Sequence, residues 1–194
     1  TILWGTLAAK LSRVRGVVNA VSGLGIFFSE ENRSVISKIL PKVLRFSHHR
    51  SNLAVIFQNG EDKFLFRKHH IIREEQVYMI KGSGVNLQQF CYTPEPESGK
   101  IRVLLTARMI MEKGIFILTD AAIKLKEKYR DKVQFLLCGG LDDNPKAIKE
   151  EDLKRVCDGE YIQWLGYRTD VLSLLKDCHI VAFPSYYKEG LPKS

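Results

Sequence analysis

The chain has 194 residues, of which 45% are hydrophobic and 27% are charged, so it can bury a core and is not intrinsically disordered. Its 30 Lys and Arg against 22 Asp and Glu give a net charge of +8, which suits a phosphorylated ligand, an acidic membrane surface or a nucleic acid. No apolar run reaches the roughly 18 residues of a transmembrane helix. None of the four cysteines forms a C-x-x-C pair, which excludes zinc-ribbon and thioredoxin-like sites and favours reduced thiols in a cytoplasmic protein.

The first half alternates predicted helices and strands. The spacing of apolar residues predicts, in chain order, a helix at 4–12, a strand at 16–21, a helix at 32–48, a strand at 53–57, a helix at about 60–69 and a strand at 77–80. Pro41 lies inside the second helix, where a proline can break or kink it. The histidine doublets 48–49 and 69–70 lack the spacing of metal ligands and are interpreted as solvated or capping residues.

The second half has a more regular rhythm, which begins after a Pro-rich segment at 93–99 that predicts a linker. The predicted elements are a strand at 101–106, a helix at 114–128, a strand at 133–137, a helix at 145–156, a strand at 161–164, a helix at 169–176 and a strand at 179–183. This alternation predicts a parallel sheet with helices on both faces. Such sheets bind ligands at the carboxyl ends of their strands, so the candidate site lies in the loops 107–113, 138–144, 165–168 and 184–194.

The loop after the first of these strands carries two cations at the entry to a helix. Arg108 and Lys113 beside free helical N–H groups predict a diphosphate site, and Gly114 at the helix start favours that interpretation. The alternative is a pair of solvated surface cations.

Two later loops carry weaker signals. Glu189 can lie beside a bound sugar while the N–H groups of Gly190 and Leu191 face it, although a solvated loop glutamate next to Lys188 fits as well. The segment 164–167, which includes Gly166 and Tyr167, can flank a planar base, with Trp164 itself packed in the core. The segment 138–145 is interpreted chiefly as turn chemistry.

Taken in order, these loops resemble glycosyltransferase family 4, the "group 1" transferases. The matching residues are Arg108, Lys113 and Gly114, then Trp164–Gly166, Asp170–Val171, Pro184–Ser185 and Glu189–Ser194. The resemblance covers the whole second half. Upstream, residues 4–9, 22–25 and 82–85 resemble the late acceptor domain of bacterial members that build surface polysaccharides on lipid carriers.

The resemblance implies an α/β fold of GT-B type, with Rossmann-like parallel sheets, helices on both faces and both halves incomplete. It implies that residues 1–92 are the C-terminal part of an acceptor-side domain, 93–100 a linker and 101–194 a truncated nucleotide-sugar-binding domain. The second glutamate of the family's E-x7-E motif would fall beyond Ser194. The 194-residue chain by itself is therefore expected to be inactive.

The implied activity is retaining transfer of a hexosyl or N-acetylhexosaminyl group from a UDP-linked donor to a lipid-linked or glycan acceptor in polysaccharide biosynthesis. The family's pattern assigns catalytic roles to Arg108, Lys113 and Glu189, and donor binding to Gly114, Gly166, Tyr167, Gly190 and Leu191. The two cations replace a metal, so no metal or other cofactor is expected. The expected location is the cytoplasm, with peripheral contact with the anionic inner face of the plasma membrane.

Two other classes of function stay open. A GT-B-like epimerase or a non-catalytic nucleotide-sugar-binding subunit would bind the donor without transferring the sugar. A basic, non-enzymatic α/β module that binds nucleic acid is suggested by the net charge alone. Such a module predicts aromatics interleaved with cations on one exposed face, whereas the cations here are spread along the chain, so no nucleic-acid partner is expected.

Overall fold

A computed structural model describes residues 2–23, 35–82, 84–97, 99–143 and 147–186. The described chain forms two compact units that divide between Val85 and Asn86. Residues 91–97 form neither helix nor strand, and the linker at 93–100 stays a prediction, as do the domain bounds. The predicted site residues Glu189, Gly190 and Leu191 lie outside the described residues, as do 24–25 and 83 of the upstream motifs.

The first unit is a small parallel sheet with helical connections. Its elements are α1 (Ile2–Leu11), β1 (Val17–Val21), α2 (Val35–His48), β2 (Leu53–Phe57), α3 (Gly60–Lys68) and β3 (Val77–Met79). The strands lie in the order β1-β2-β3, and both pairs are parallel. Alternate residues of β2, Leu53, Val55 and Phe57, are buried against Leu44 of α2 and Phe66 of α3. The apolar run of β2 therefore lies at the centre of this core.

Helix α2 differs from its sequence-based description in two respects. It continues through Pro41, because Leu40 and Leu44 on either side of the proline pack into the core. His48, interpreted from sequence as solvated or capping, is buried: its Nδ1 lies 2.9 Å from the Leu44 carbonyl oxygen and its Nε2 3.1 Å from the Asn19 amide nitrogen. Burial lowers the pKa of His48, which the Leu44 hydrogen bond partly opposes. The ring is therefore neutral, donating from Nδ1 and accepting at Nε2.

The second unit confirms the parallel sheet predicted for residues 101–183. Its elements are β4 (Ile101–Thr106), α4 (Ile115–Tyr129), β5 (Val133–Cys138), α5 (Glu150–Val156), β6 (Ile162–Trp164), α6 (Val171–Lys176) and β7 (Ile180–Val181). The strand order is β6-β5-β4-β7, and every neighbouring pair is parallel.

Both faces of this sheet are covered, as the alternation predicted. Val103 and Leu105 of β4 pack on one face with Ile115 of α4 and Leu153 of α5. Leu104 points the other way, into a cluster that includes residues of α6 and Cys178. Because side chains alternate along a strand, a run that is apolar throughout serves two cores.

Most predicted element boundaries lie within two residues of the observed ones, and the largest difference is at the start of α5. The helix predicted from 145 begins at Glu150, because Ala147 instead bridges to Ile110 and the Ile148 N–H donates to the Met109 carbonyl. The strand predicted at 179–183 is confined to Ile180–Val181. No helix in the described part of the chain is both long and apolar enough to cross a membrane.

Candidate functional site

The carboxyl ends of four parallel strands form one edge of the second unit's sheet, which we call the carboxyl edge. The chain runs from central β4 to β5 on one side, whereas β7 is added on the other side of β4. Where the connections after two neighbouring strands run to opposite sides of the sheet, a crevice is expected between the two loops. Open α/β sheets bind ligands at such a point. The loop after β4 and the loop after β7 therefore border the expected ligand crevice.

Arg108 projects from the loop after β4, held by buried neighbours. Met109 is fully buried and Ile110 nearly so, which fixes the backbone on the far side of Arg108. The arginine side chain is 62% exposed, and its Nη1 lies 2.8 Å from Oδ2 of Asp142, whose side chain is only 17% exposed. Asp142 lies in the loop after β5, so this ion pair ties two loops together. Sequence analysis placed Arg108 in the site but missed its partner, since no local pattern links residues 34 positions apart.

Lys113 lies at the end of a 3₁₀ turn, Met111–Lys113, that leads directly into α4. The first intrahelical bond of α4 runs from the Leu118 N–H to the Gly114 carbonyl, so the amides of the first helical turn face the carboxyl edge. The Nζ of Lys113 is 5.8 Å from the centre of the ring of Phe183, which lies in the loop after β7. The lysine and the positive end of the helix dipole are thus placed at the same edge.

Gly114 joins the loops on both sides of the crevice. Its φ of 72° lies in the left-handed region, and a Cβ there would come within 2.2 Å of the Pro184 carbonyl oxygen. The N–H of Tyr186 and the hydroxyl of Ser185 both donate to the Glu112 carbonyl, each at 3.2 Å. Only glycine allows this close approach, so Gly114 has a structural role in addition to its predicted donor contact.

Gly139, which the sequence suggested was only part of a turn, connects three loops. A Cβ at this position would lie 1.7 Å from the Ala107 carbonyl oxygen, in the loop after β4. Its N–H donates to the Gly166 carbonyl at 2.8 Å, and its own carbonyl accepts from Nε1 of Trp164 at 2.9 Å. Trp164 also packs against the core, as predicted. The signal in the sequence was the glycine directly after a buried strand, which can mark a close backbone approach.

The loop after β6 contributes a polar surface. Tyr167 is 78% exposed. A Cβ added at Gly140 would lie 3.4 Å from the Cβ of Tyr167, so the loops after β5 and β6 are in contact here. Arg168 donates to both carboxylate oxygens of Asp170, from Nε at 2.7 Å and from Nη2 at 2.5 Å. This bidentate bond lowers the pKa of Asp170 and raises that of Arg168, so both stay charged.

The structure therefore gathers Arg108, Lys113, Gly114, Gly166 and Tyr167 at the carboxyl edge. Each cation has a different neighbour: Asp142 for Arg108 and Phe183 for Lys113. Within the described ranges, no three His, Cys, Asp or Glu side chains form a group that could hold a metal ion. Two cations and a helix N-terminus can bind a diphosphate and stabilise negative charge on it.

Comparisons with known proteins agree with this geometry. Residues 100–194 match the family model of glycosyl transferases group 1. The chain is 31% identical to the N,N'-diacetylbacillosaminyl-diphospho-undecaprenol alpha-1,3-N-acetylgalactosaminyltransferase of Campylobacter jejuni, over 98% of this chain and 52% of that protein. The chain thus spans about half the length of this curated relative.

Solved structures show the same fold. HepE of Anabaena, in complex with UDP and glucose, superposes with a TM-score of 0.64 at 20% identity over 95% of this chain and 50% of that one. WaaG, a glycosyltransferase involved in lipopolysaccharide biosynthesis, gives a TM-score of 0.65 at 13% identity over 94% of this chain and 56% of that one. These likenesses identify the two parallel sheets as part of a GT-B fold. With the match over residues 100–194 and the curated relative, they show that the chain belongs to the group 1 glycosyltransferases.

Proposed function

We propose that the chain supplies the donor-binding part of a retaining glycosyltransferase. The donor is a UDP-sugar, and the transferred group is a hexosyl or N-acetylhexosaminyl residue. The acceptor is a lipid-linked glycan presented at the cytoplasmic face of a membrane. The Campylobacter relative is named as a transferase of N-acetylgalactosamine to a saccharide on diphospho-undecaprenol, which supports the class of transferred sugar and the class of acceptor.

The observation that carries this proposal is the contact between the loops after β4 and β7 at the carboxyl edge. Lys113 lies at the end of the 3₁₀ turn that leads into α4, and the same turn accepts hydrogen bonds from Ser185 and Tyr186. A diphosphate bound at this edge would meet Lys113, Arg108 and the amides at the start of α4. UDP bound to HepE, a protein of the same fold, supports a nucleotide as the ligand.

In the proposed reaction an acceptor hydroxyl oxygen forms a bond to the anomeric carbon of the donor sugar, and the bond between that carbon and the diphosphate breaks. The hydroxyl proton passes to the leaving diphosphate, on which negative charge builds, and UDP departs. Arg108 and Lys113 stabilise that charge, which lowers the barrier when the cations are already in place. Glu189, with the N–H groups of Gly190 and Leu191, orients the donor sugar. Gly114, Gly166 and Tyr167 complete the donor pocket, with Tyr167 beside the base.

Calorimetric titration with UDP tests the diphosphate assignment. Arg108→Ala and Lys113→Ala should each raise the Kd by roughly tenfold to a hundredfold, because each removes a charge-assisted bond to phosphate. Arg130→Ala is the matched control: Arg130 follows α4 at the opposite edge of the sheet and makes a 3.6 Å ion pair with Glu160.

Equal UDP affinity in Arg108→Ala and wild type would refute the role of this loop. Transfer itself is tested with labelled UDP-sugars and lipid-diphosphate-linked saccharides, in a protein extended to the length of the relatives. UDP binding without transfer to any acceptor would favour a binding subunit, and conversion of the free UDP-sugar would favour an epimerase.

A further inference from the structure

We infer that Phe183 is a positioning residue of the donor site, whose ring holds the ammonium group of Lys113 at the carboxyl edge. Phe183 lies in the loop after β7, and Lys113 lies in the turn before α4. The inference rests on the proposed function, which gives Lys113 its task of binding the donor diphosphate. It adds to the site a residue that the sequence suggested was only the end of a strand.

The backbone on both sides of Phe183 is held by hydrogen bonds. The Ala182 N–H donates to a carbonyl of the central strand β4 at 2.8 Å, which continues the pairing of β7 with β4. The Ser185 hydroxyl donates to the Glu112 carbonyl at 3.2 Å. Because Glu112 directly precedes Lys113, the loop that carries the ring is bonded to the turn that carries the lysine.

A close backbone contact also fixes the distance between these two segments. A Cβ at Gly114 would lie 2.2 Å from the Pro184 carbonyl oxygen, so the residue after Lys113 touches the residue after Phe183. The lysine side chain, by contrast, is a flexible stem of four carbons. A ring at a fixed position can therefore decide where this flexible cation lies.

The ring of Phe183 is close enough to attract the ammonium group. The Nζ of Lys113 lies 5.8 Å from the ring centre, within the roughly 6 Å over which the negative face of an aromatic ring attracts a cation. Nearly half of the side chain is exposed, which weakens the attraction because water competes for the cation. We therefore expect the ring to change ligand affinity by roughly twofold to fivefold.

A ring and a carboxylate hold a cation with different consequences for the site. Asp142 holds Arg108 through an ion pair, and its negative charge lowers the positive potential that a diphosphate meets. A phenyl ring carries no net charge, so Phe183 positions Lys113 without lowering that potential. The ring therefore suits a cation whose charge is to act on the ligand.

Packing in the core does not account for Phe183. Its side chain is 48% exposed, and among the described residues none of the three hydrophobic clusters includes it. The neighbouring Ala182 packs against the core of the second unit instead. An aromatic ring that lies half in solvent beside a cation is better explained by the cation than by packing.

NMR spectroscopy tests the contact in the 194-residue chain without any ligand. Reductive methylation with carbon-13 formaldehyde labels the lysine amino groups and keeps their positive charge. The ring current of Phe183 should shift the Lys113 methyl signal upfield, and its absence in Lys113→Arg assigns that signal. Phe183→Leu should move the signal to the position of the exposed lysines, whereas Phe183→Tyr, which keeps an aromatic ring, should leave it shifted.

Calorimetric titration with UDP tests the consequence for the donor site. Phe183→Leu should raise the Kd roughly twofold to fivefold, and Phe183→Tyr should restore the wild-type value. In a Lys113→Ala background, Phe183→Leu should have no further effect, because the ring acts only through the lysine. The matched control is Tyr129→Leu, which removes a ring that lies 5.2 Å from Nζ of Lys128 at the other end of α4. It should leave the UDP affinity and the Lys113 signal unchanged.

A Lys113 methyl signal that is unshifted in the wild type, or that Phe183→Leu leaves in place, overturns the inference even when UDP binds normally. A loss of UDP affinity in Phe183→Leu that persists in the Lys113→Ala background also overturns it, since the ring would then act on the nucleotide or on the fold. If the wild-type chain does not bind UDP, the proposed function fails, and the positioning role fails with it. Circular dichroism checks that each variant is folded.

Discussion

The carboxyl edge of the second unit and helix α2 of the first unit both present cations, but in different surroundings. At the carboxyl edge Arg108 is paired with Asp142 and Arg168 with Asp170, each within 2.8 Å. Helix α2 carries Lys38, Lys42 and Arg45 and contains no Asp or Glu. Thirteen basic and six acidic residues give the first 85 residues a net charge of +7, whereas 17 and 16 give the remaining residues +1. The comparison teaches that the net charge of +8 comes mainly from the first unit and says little about the diphosphate site.

The two regions also differ in how narrowly their geometry is determined. The carboxyl edge depends on backbone contacts that only glycine allows, at Gly114 and Gly139. The cationic surface of α2 depends on the helical repeat and on composition, which many side chains could satisfy. Substitutions should therefore disturb the carboxyl edge through structure and the surface of α2 through charge.

The largest expected effect is that of Gly139→Ala. The new methyl would lie 1.7 Å from the Ala107 carbonyl oxygen, between strand ends whose backbones cannot separate without breaking the sheet. We expect a loss of about 3 kcal/mol or more in the free energy of unfolding of the second unit, measured by urea titration. Gly159→Ala is the control: it also has a positive φ, but no atom lies within 4 Å of its Cβ, so strain of about 1 kcal/mol is expected. Equal losses in the two variants would show that the crowding at Gly139 is unimportant.

A smaller loss in the free energy of unfolding is expected from Asp158→Asn. Asp158 is a carboxylate of the second unit that stabilises its structure. Oδ1 of Asp158 accepts from the N–H groups of Glu160, Tyr161 and Ile162, and Oδ2 accepts from Lys126 at 2.6 Å. Burial alone would raise the pKa of Asp158, but these bonds outweigh it and lower the pKa well below its usual range. Its contribution to stability is thus complete above the unfolded pKa of about 3.9 and is lost as pH falls towards the folded pKa.

We expect Asp158→Asn to lower the free energy of unfolding by about 1 kcal/mol at neutral pH, after allowing for solvent screening of a partly exposed group. Urea unfolding at neutral pH measures this loss in the free energy of unfolding, and urea unfolding below about pH 4 measures how far the loss shrinks as the carboxylate of the wild type is protonated. Asp131→Asn, at an exposed position, is the control. A difference between wild type and variant that stays constant down to low pH would contradict the assigned role of the carboxylate.

The smallest expected effect is that of Asp142→Asn, which sharpens the comparison directly. It removes the carboxylate that lies 2.8 Å from Arg108, whereas within the described residues no ion pair is formed by a cation of α2. An exposed ion pair contributes up to about 1 kcal/mol, so UDP affinity should rise by roughly twofold to fivefold while stability hardly changes. Calorimetry measures the change, and the reverse result, a tenfold loss of affinity, would mean that Asp142 holds Arg108 in its binding position.

Some features of the fold could be predicted because neighbouring residues determine them. The strands at 53–57 and 101–106 have their predicted bounds, since each is a short apolar run with clear polar limits. The alternation of strands and helices was enough to predict a parallel sheet, and a parallel sheet places its strand-end loops at one edge whatever their sequences. For this reason Arg108, Lys113 and Gly114 could be assigned to one site from the sequence.

Other features were decided by contacts between residues far apart in the chain. The sequence of Ala147 and Ile148 suits a helix, but the loop after β4 binds both residues in an extended conformation. His48 has the pattern of a polar helix end, yet Asn19 and Leu44 provide buried partners for both ring nitrogens. Asp142 as the partner of Arg108, and the need for glycine at 139, likewise depend on how strands pair across the sheet. The sequence by itself thus determined the elements and the chemistry of the strand-end loops, because these depend on local periodicity and residue type. Only the tertiary structure decided which charges are paired and which backbones touch, because these depend on distances between separate elements.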